Sequence, residues 1–151
     1  MNELNFTRTF DAPRDVVFKA WTDKKQMAKW FGPRGFTTEI TEHDARPGGL
    51  SRLIMRGPDG KEYPGKAIFR EIVPNERLAL STFAIDATGK EVLETLVTVT
   101  FAEKEKKTTM KVNVKVVRST PEAAPYIAGM EEGWKQTIDK LGELVSKSSG
   151  R

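Results

Sequence analysis

Apolar and polar residues alternate at the start of the chain. Leu4, Phe6, Arg8 and Phe10 take one parity and Asn5, Thr7 and Thr9 the other, a period of two that predicts a strand. Asp11-Ala12-Pro13 ends it. Pro13 suits the first position of a helix and Asp15 its first turn. Val17, Phe18 and Trp21 then recur at helical spacing. A second short helix is predicted from Thr22 or Asp23, because Gln26 stands three residues beyond Asp23, as a capping box requires. Gly32-Pro33 closes it: glycine takes the left-handed conformation readily and proline cannot continue a helix. Met27, Trp30 and Phe31 give this second helix a heavy apolar face.

The middle of the chain reads as a run of antiparallel strands over 36–43, 50–56, 63–73, 78–85, 92–101 and 108–117. Turn signals separate them: Pro47-Gly48-Gly49, Gly57-Pro58-Asp59-Gly60, Pro74-Asn75-Glu76 and Ala87-Thr88-Gly89. The last strand is the clearest, with Met110, Val112, Val114 and Val116 alternating with Lys111, Asn113 and Lys115. A long helix follows. Ser119, Thr120, Pro121 and Glu122 form a start signal, but Pro125 would break a regular turn, so the regular helix is expected to begin near it. Ile127, Met130, Trp134, Ile138, Leu141, Leu144 and Val145 recur at three and four residues, a stripe about 30 Å long at 1.5 Å per residue. The sheet is the one partner in this chain large enough to cover it.

This pattern predicts an α+β protein: a curved seven-stranded antiparallel sheet around a long C-terminal helix, with two short helices after the first strand. Such a sheet is wider than a helix about 10 Å across, so a cavity survives unless side chains fill it. The candidate lining is Trp30, Phe31, Leu53, Met55, Phe69, Phe83, Met130, Trp134 and Ile138, aromatics and methionines that suit an adaptable apolar site. Met130 and Trp134 would form its floor, with Trp30 and Phe31 near the entrance. The same residues would serve equally as core, since burying each stabilises the fold by roughly 1.5–3 kcal/mol. Gly129 and Gly133 lie one turn apart on the long helix. Each costs about 1 kcal/mol against alanine, which close packing on a strand or room for a ligand would explain.

Composition narrows the picture. A chain of 151 residues favours one domain over 1–151, with a polar tail from about Ser146 to Arg151 expected to fray. The 25 basic and 21 acidic residues leave a net charge of +4 with the signs interspersed. That is not the one-sided basic face of a nucleic-acid binder. Lys104, Lys106, Lys107 and Lys111 are broken up by Glu103 and Glu105 and read as a solvated hairpin tip. No cysteine is present, which rules out disulfides and thiolate chemistry. No run of about 18 apolar residues suggests a membrane span, and the first residues do not resemble a secretory signal. A cytoplasmic location is therefore expected, as a monomer or homodimer.

Little catalytic chemistry stands out. His43 is the single histidine. With Glu39, Glu42 and Asp44 it would sit on alternating faces of a strand, so the four do not converge on a metal. A nucleophilic triad fails for the same reason and for want of a nucleophile elbow. Glu71 and Glu94 could face inward as general acids, but a surface ion pair explains them better. Arg46, beside Pro47-Gly48-Gly49, could hold a carboxylate at a pocket mouth or simply face solvent. No catalytic residue, metal or cofactor is assigned.

The residues now assembled resemble a known family. Arg8-Thr9-Phe10-Asp11-Ala12-Pro13, Val17 to Trp21, Thr22-Asp23 and Trp30-Phe31-Gly32-Pro33 look like the opening of the family named for the activator of heat-shock protein 90 ATPase. Arg46-Pro47-Gly48-Gly49, Met55 through Gly60, Glu71-Ile72-Val73-Pro74, Glu76-Arg77-Leu78 and Gly133-Trp134 through Leu141 follow in its order. The resemblance implies the START-like helix-grip fold, shared with lipid-transfer proteins, plant pathogenesis-related proteins and polyketide cyclases. It also departs from the family: members often carry an aromatic residue in the place of Ser51, and a small hydroxyl there would enlarge the pocket or make it more polar. The function expected is binding of a hydrophobic or amphipathic small molecule, such as a lipid. The alternatives are a co-chaperone-like module with a chaperone partner, linked to stress response, and a cyclase-type enzyme on a bound hydrophobic substrate.

Overall fold

Seven strands form one antiparallel sheet in the order β1-β7-β6-β5-β4-β3-β2. The computed structural model describes residues 3–148. The strands are β1 (Glu3–Phe10), β2 (Thr37–Glu42), β3 (Leu50–Arg56), β4 (Glu62–Val73), β5 (Arg77–Ile85), β6 (Glu91–Lys104) and β7 (Lys107–Ser119). All seven expected strands are present. From β3 to β7 each pairs with its predecessor, and β1 then lies beside β7 with Phe6 opposite Val112. The lysine-rich segment between β6 and β7 is an exposed two-residue turn in which Glu105 and Lys106 both take positive φ.

Two short helices, α1 (Arg14–Thr22) and α2 (Lys24–Trp30), follow β1. Pro13 precedes α1 rather than opening it. Asp23 caps α2 by accepting from the Gln26 N–H at 3.1 Å, the role its spacing predicts. Gly32, at φ 107°, then reverses the chain, a conformation that favours glycine.

The C-terminal helix is not continuous from Pro125. A single 3-10 turn (Pro121–Ala123) leads into α3 (Ala124–Ala128), and Gly129, at φ −96° and ψ 2°, interrupts the path before α4 (Met130–Ser148). Residues 146–148 of the expected tail therefore belong to α4, while Ser149, Gly150 and Arg151 lie outside the described residues.

One face of the sheet packs on α4. Phe69, Leu80, Val97 and Val114 form one row across it, and Leu78, Val99 and Val112 the next. Ile138, Leu141 and Val145 press on these rows with no exposed surface. Gly142 lets α4 come this close: a Cβ there would stand 3.0 Å from the Phe10 ring.

Candidate functional site

Packing changes along α4. Beyond Ile138 the stripe is solid core, but before it the sheet offers smaller partners. Leu53, Gly65, Ala84 and Leu93 make one row across β3 to β6, and Ala67, Thr82 and Thr95 make the next. Glycine, alanine and threonine occupy the middle of the sheet at this point. No side chain fits at Gly65, where a Cβ would meet the Phe83 carbonyl oxygen at 2.9 Å. Above it, α4 and the residue before it add Gly129, Gly133 and Thr137 beside the larger Met130 and Trp134. A cavity of about 250 Å³ remains between them.

An aromatic cluster stands at one side, with Phe31 and Trp134 on the wall and Trp21 and Trp30 behind them. Trp21 and Trp30 meet edge to face at 4.8 Å, Trp134 lies nearly parallel to Trp21 at 6.4 Å, and Phe31 abuts Trp134 at 6.1 Å. Hydrogen bonds fix the two buried indoles: Trp30 Nε1 donates to the Ala20 carbonyl at 2.8 Å and Trp21 Nε1 to Met110 Sδ at 3.3 Å. Phe31, Gly32 and Pro33 form a rim that α4 holds in place. Lys140 Nζ donates to the Gly32 carbonyl at 3.0 Å, and Gln136 Oε1 accepts from the Arg34 N–H at 3.1 Å. Burial pushes the Lys140 ammonium below the usual lysine range. Tyr63 and Tyr126 meet edge to face at 6.4 Å on the opposite side.

Of the nine positions expected to line a cavity, Phe31, Leu53, Met55, Met130 and Trp134 stand on its wall. Phe83 borders it too, but it shares with Lys66 and Glu94 a row facing the other side of the sheet. There Lys66 Nζ lies 4.9 Å from the Phe83 ring centroid. Trp30, Phe69 and Ile138 do not reach the space and are fully buried core. Thr82, Thr95, Thr137, Tyr63 and Tyr126 border it and were not anticipated. Small polar residues inside strands carry no periodic signal, and only the register shows which of them share a face.

Ser51 does not enlarge this cavity. Its side chain is completely buried, and His43 occupies the space beside it. His43 Nδ1 lies 3.1 Å from Ser51 Oγ, and Nε2 lies 2.7 Å from the Thr22 carbonyl oxygen. A carbonyl only accepts, so Nε2 carries the proton and Nδ1 accepts from the serine. The histidine ties β3 to the end of α1, with its ring edge on Phe69 at 5.9 Å. No carboxylate orients it, and Asp44 instead pairs with Arg46 at 2.7 Å on the surface.

The other candidate groups also stay outside the cavity. Glu71 pairs with Arg77 at 2.7 Å, and Arg118 bridges Glu94 at 3.1 Å and Glu91 at 3.3 Å. Lys66 completes that outer cluster by pairing with Glu91. The lysine first, and Arg118 beside it, hold the Glu91 carboxyl below the usual range.

A bent antiparallel sheet gripping a C-terminal helix across a partly hollow interior defines a helix-grip protein of the START-like class. More specifically, the chain belongs to the Activator of Hsp90 ATPase homolog 1-like family, which it matches over residues 11–146. A solved structure from Chromobacterium violaceum is 26% identical with a TM-score of 0.80, over 96% of this chain and 97% of that one. One from Arthrobacter aurescens is 25% identical with a TM-score of 0.88, over 96% and 86%. The AHSA1 protein of Silicibacter pomeroyi, at 19% identity and a TM-score of 0.79 over 97% and 99%, shares the fold. Nothing among the curated proteins matches. Among the described residues, no helix is long and apolar enough to cross a membrane.

Proposed function

We propose that this protein binds a small, largely apolar molecule between α4 and the sheet. The observation that carries the reading is the change of packing along α4. The same helix that seals the core beyond Ile138 faces glycines, alanines and threonines before it, and a space of about 250 Å³ stays open. Filling that space with leucine or phenylalanine would have stabilised the fold, since each buried CH₂ adds about 0.8 kcal/mol. The surface offers less for a protein partner. Among the described residues, Val117 at 55% exposure is the one large apolar side chain strongly open to solvent.

Thermal unfolding against a panel of lipids and fused-ring aromatics tests the proposal. A ligand at 100 times its dissociation constant adds about 2.7 kcal/mol of stability, a rise in Tm of roughly 5–11 °C for a chain of this size. Gly133→Leu, a good helix former placed against the cavity, should abolish that rise while leaving the protein folded. If no compound raises Tm and the protein instead stimulates a chaperone ATPase, the co-chaperone reading replaces this one.

A further inference from the structure

The cavity wall also carries a statement about charge. Among the described residues, no ammonium, guanidinium or carboxylate points into it. Lys66, the one charged residue that borders it, belongs to the outward-facing row and is paired with Glu91. Apart from Lys66, the polar side chains on the wall end in hydroxyls: Thr82, Thr95, Thr137, Tyr63 and Tyr126. Thr82 and Thr95 stand opposite each other in the β5–β6 register and hydrogen bond to one another. The Thr137 hydroxyl donates to the Gly133 carbonyl at 2.8 Å.

Counting protons isolates the free group. Two threonine hydroxyls carry two protons and four lone pairs. One proton lies between Thr82 and Thr95, and the second has no acceptor among the described residues. Thr95 is 5% exposed and Thr82 half-buried, both on the cavity wall, so the second proton is presented to the cavity. A ligand oxygen reaching this pair would accept it. A carboxylate is disfavoured, because leaving water requires a countercharge and the described wall holds no free cation. A ligand ammonium likewise finds no anion.

Resting on the proposed binding function, we infer that the cavity selects uncharged ligands: a small apolar body with one neutral oxygen, carbonyl or hydroxyl, seated on the Thr82–Thr95 pair. Fatty acids and other carboxylates are rejected by the absence of a countercharge. Neutral ketones, amides and alcohols of the same shape are accepted.

Three probes of one ring system separate the steps, each measured by calorimetric titration at neutral pH: 2-naphthamide, 2-naphthoate and naphthalene. The amide should bind at least tenfold more tightly than the isosteric carboxylate, and severalfold more tightly than naphthalene. Thr82→Val with Thr95→Val removes both hydroxyls and should bring the amide down to the affinity of naphthalene while leaving naphthalene unchanged. If that double variant fails to fold, the comparison of amide with carboxylate on the unmodified protein still decides. Equal affinity for amide and carboxylate overturns the inference and leaves the binding function standing. Naphthalene binding as tightly as the amide does the same. Binding of none of the three, together with a panel that leaves Tm unmoved, removes the function itself.

Discussion

Replacing either Gly133 or Gly142 by alanine makes the same chemical change in the same helix, yet only the first should stabilise the protein. Alanine in place of an interior helical glycine gains about 1 kcal/mol, from backbone entropy lost less steeply on folding. At Gly133 nothing opposes that gain: the nearest atom to a new Cβ is Pro33 Cγ at 3.8 Å, ordinary contact. Gly133→Ala should therefore raise Tm by roughly 2–4 °C. At Gly142 the new methyl meets the Phe10 ring at 3.0 and 3.3 Å. Phe10 is 6% exposed and paired in β1 with Thr108, so the ring yields only by disturbing the edge strand. Overpacking of that kind destabilises by about 1–3 kcal/mol, which cancels the propensity gain or exceeds it. Gly142→Ala should leave Tm unchanged or lower it by up to about 8 °C. Two-state thermal and urea unfolding of both variants measures the difference. Equal stabilisation at both positions would refute the reasoning, because α4 would then not be in contact with β1 at Gly142. A loss at Gly133 would show that the helix is already crowded over the cavity.

Two other outcomes are expected. Ser51→Ala takes the donor from the half-buried His43 Nδ1, which should cost about 0.5–1.5 kcal/mol in urea unfolding, and nitrogen NMR of the unmodified protein should show the proton on Nε2; no measurable loss or the Nδ1-H tautomer would contradict the geometry. Burial lowers the folded pKa of Lys140, so between that value and the unfolded one near 10.4 the unfolded chain holds more protons and stability rises with pH. Relative to Lys140→Met, the unmodified protein should become more stable across that alkaline window, and a difference in Tm that stays flat or falls there would be inconsistent with the buried amine.

The strands and helix stripe were legible because their periodicity is unambiguous. Val112 and Val114 alternate with charged or amide neighbours, and the Asp23–Gln26 spacing locates a cap that the structure shows in place. The cavity was legible only as a mismatch of widths. Its wall was read less well because β5 is apolar on both parities. Leu80 faces α4 and Phe83 does not, and only the pairing with Lys66 distinguishes them. Trp30, Phe69 and Ile138 are as large and apolar as true wall residues, and whether such a side chain meets a void or a neighbour depends on what lies across the fold. The hollow arises from Gly65, Ala67 and Ala84, residues whose contribution is volume they lack, and that leaves no mark on a hydrophobicity pattern. The interruption at Gly129 rather than at Pro125 has a local cause. Pro125 sits at the start of α3, where its missing N–H deprives no helical bond.

The order of strands also imposes a sequence on assembly. From β3 onward each new strand finds its neighbour already made, so the meander can grow as the chain leaves the ribosome. The first strand has no such neighbour, because Glu3 pairs with Lys115 and Phe10 with Thr108. Its Leu4, Phe6 and Phe10 must wait, unsheltered, until about a hundred further residues have been made. The first strand is thus among the last to be paired, and whatever shields it in the interval acts before the fold exists.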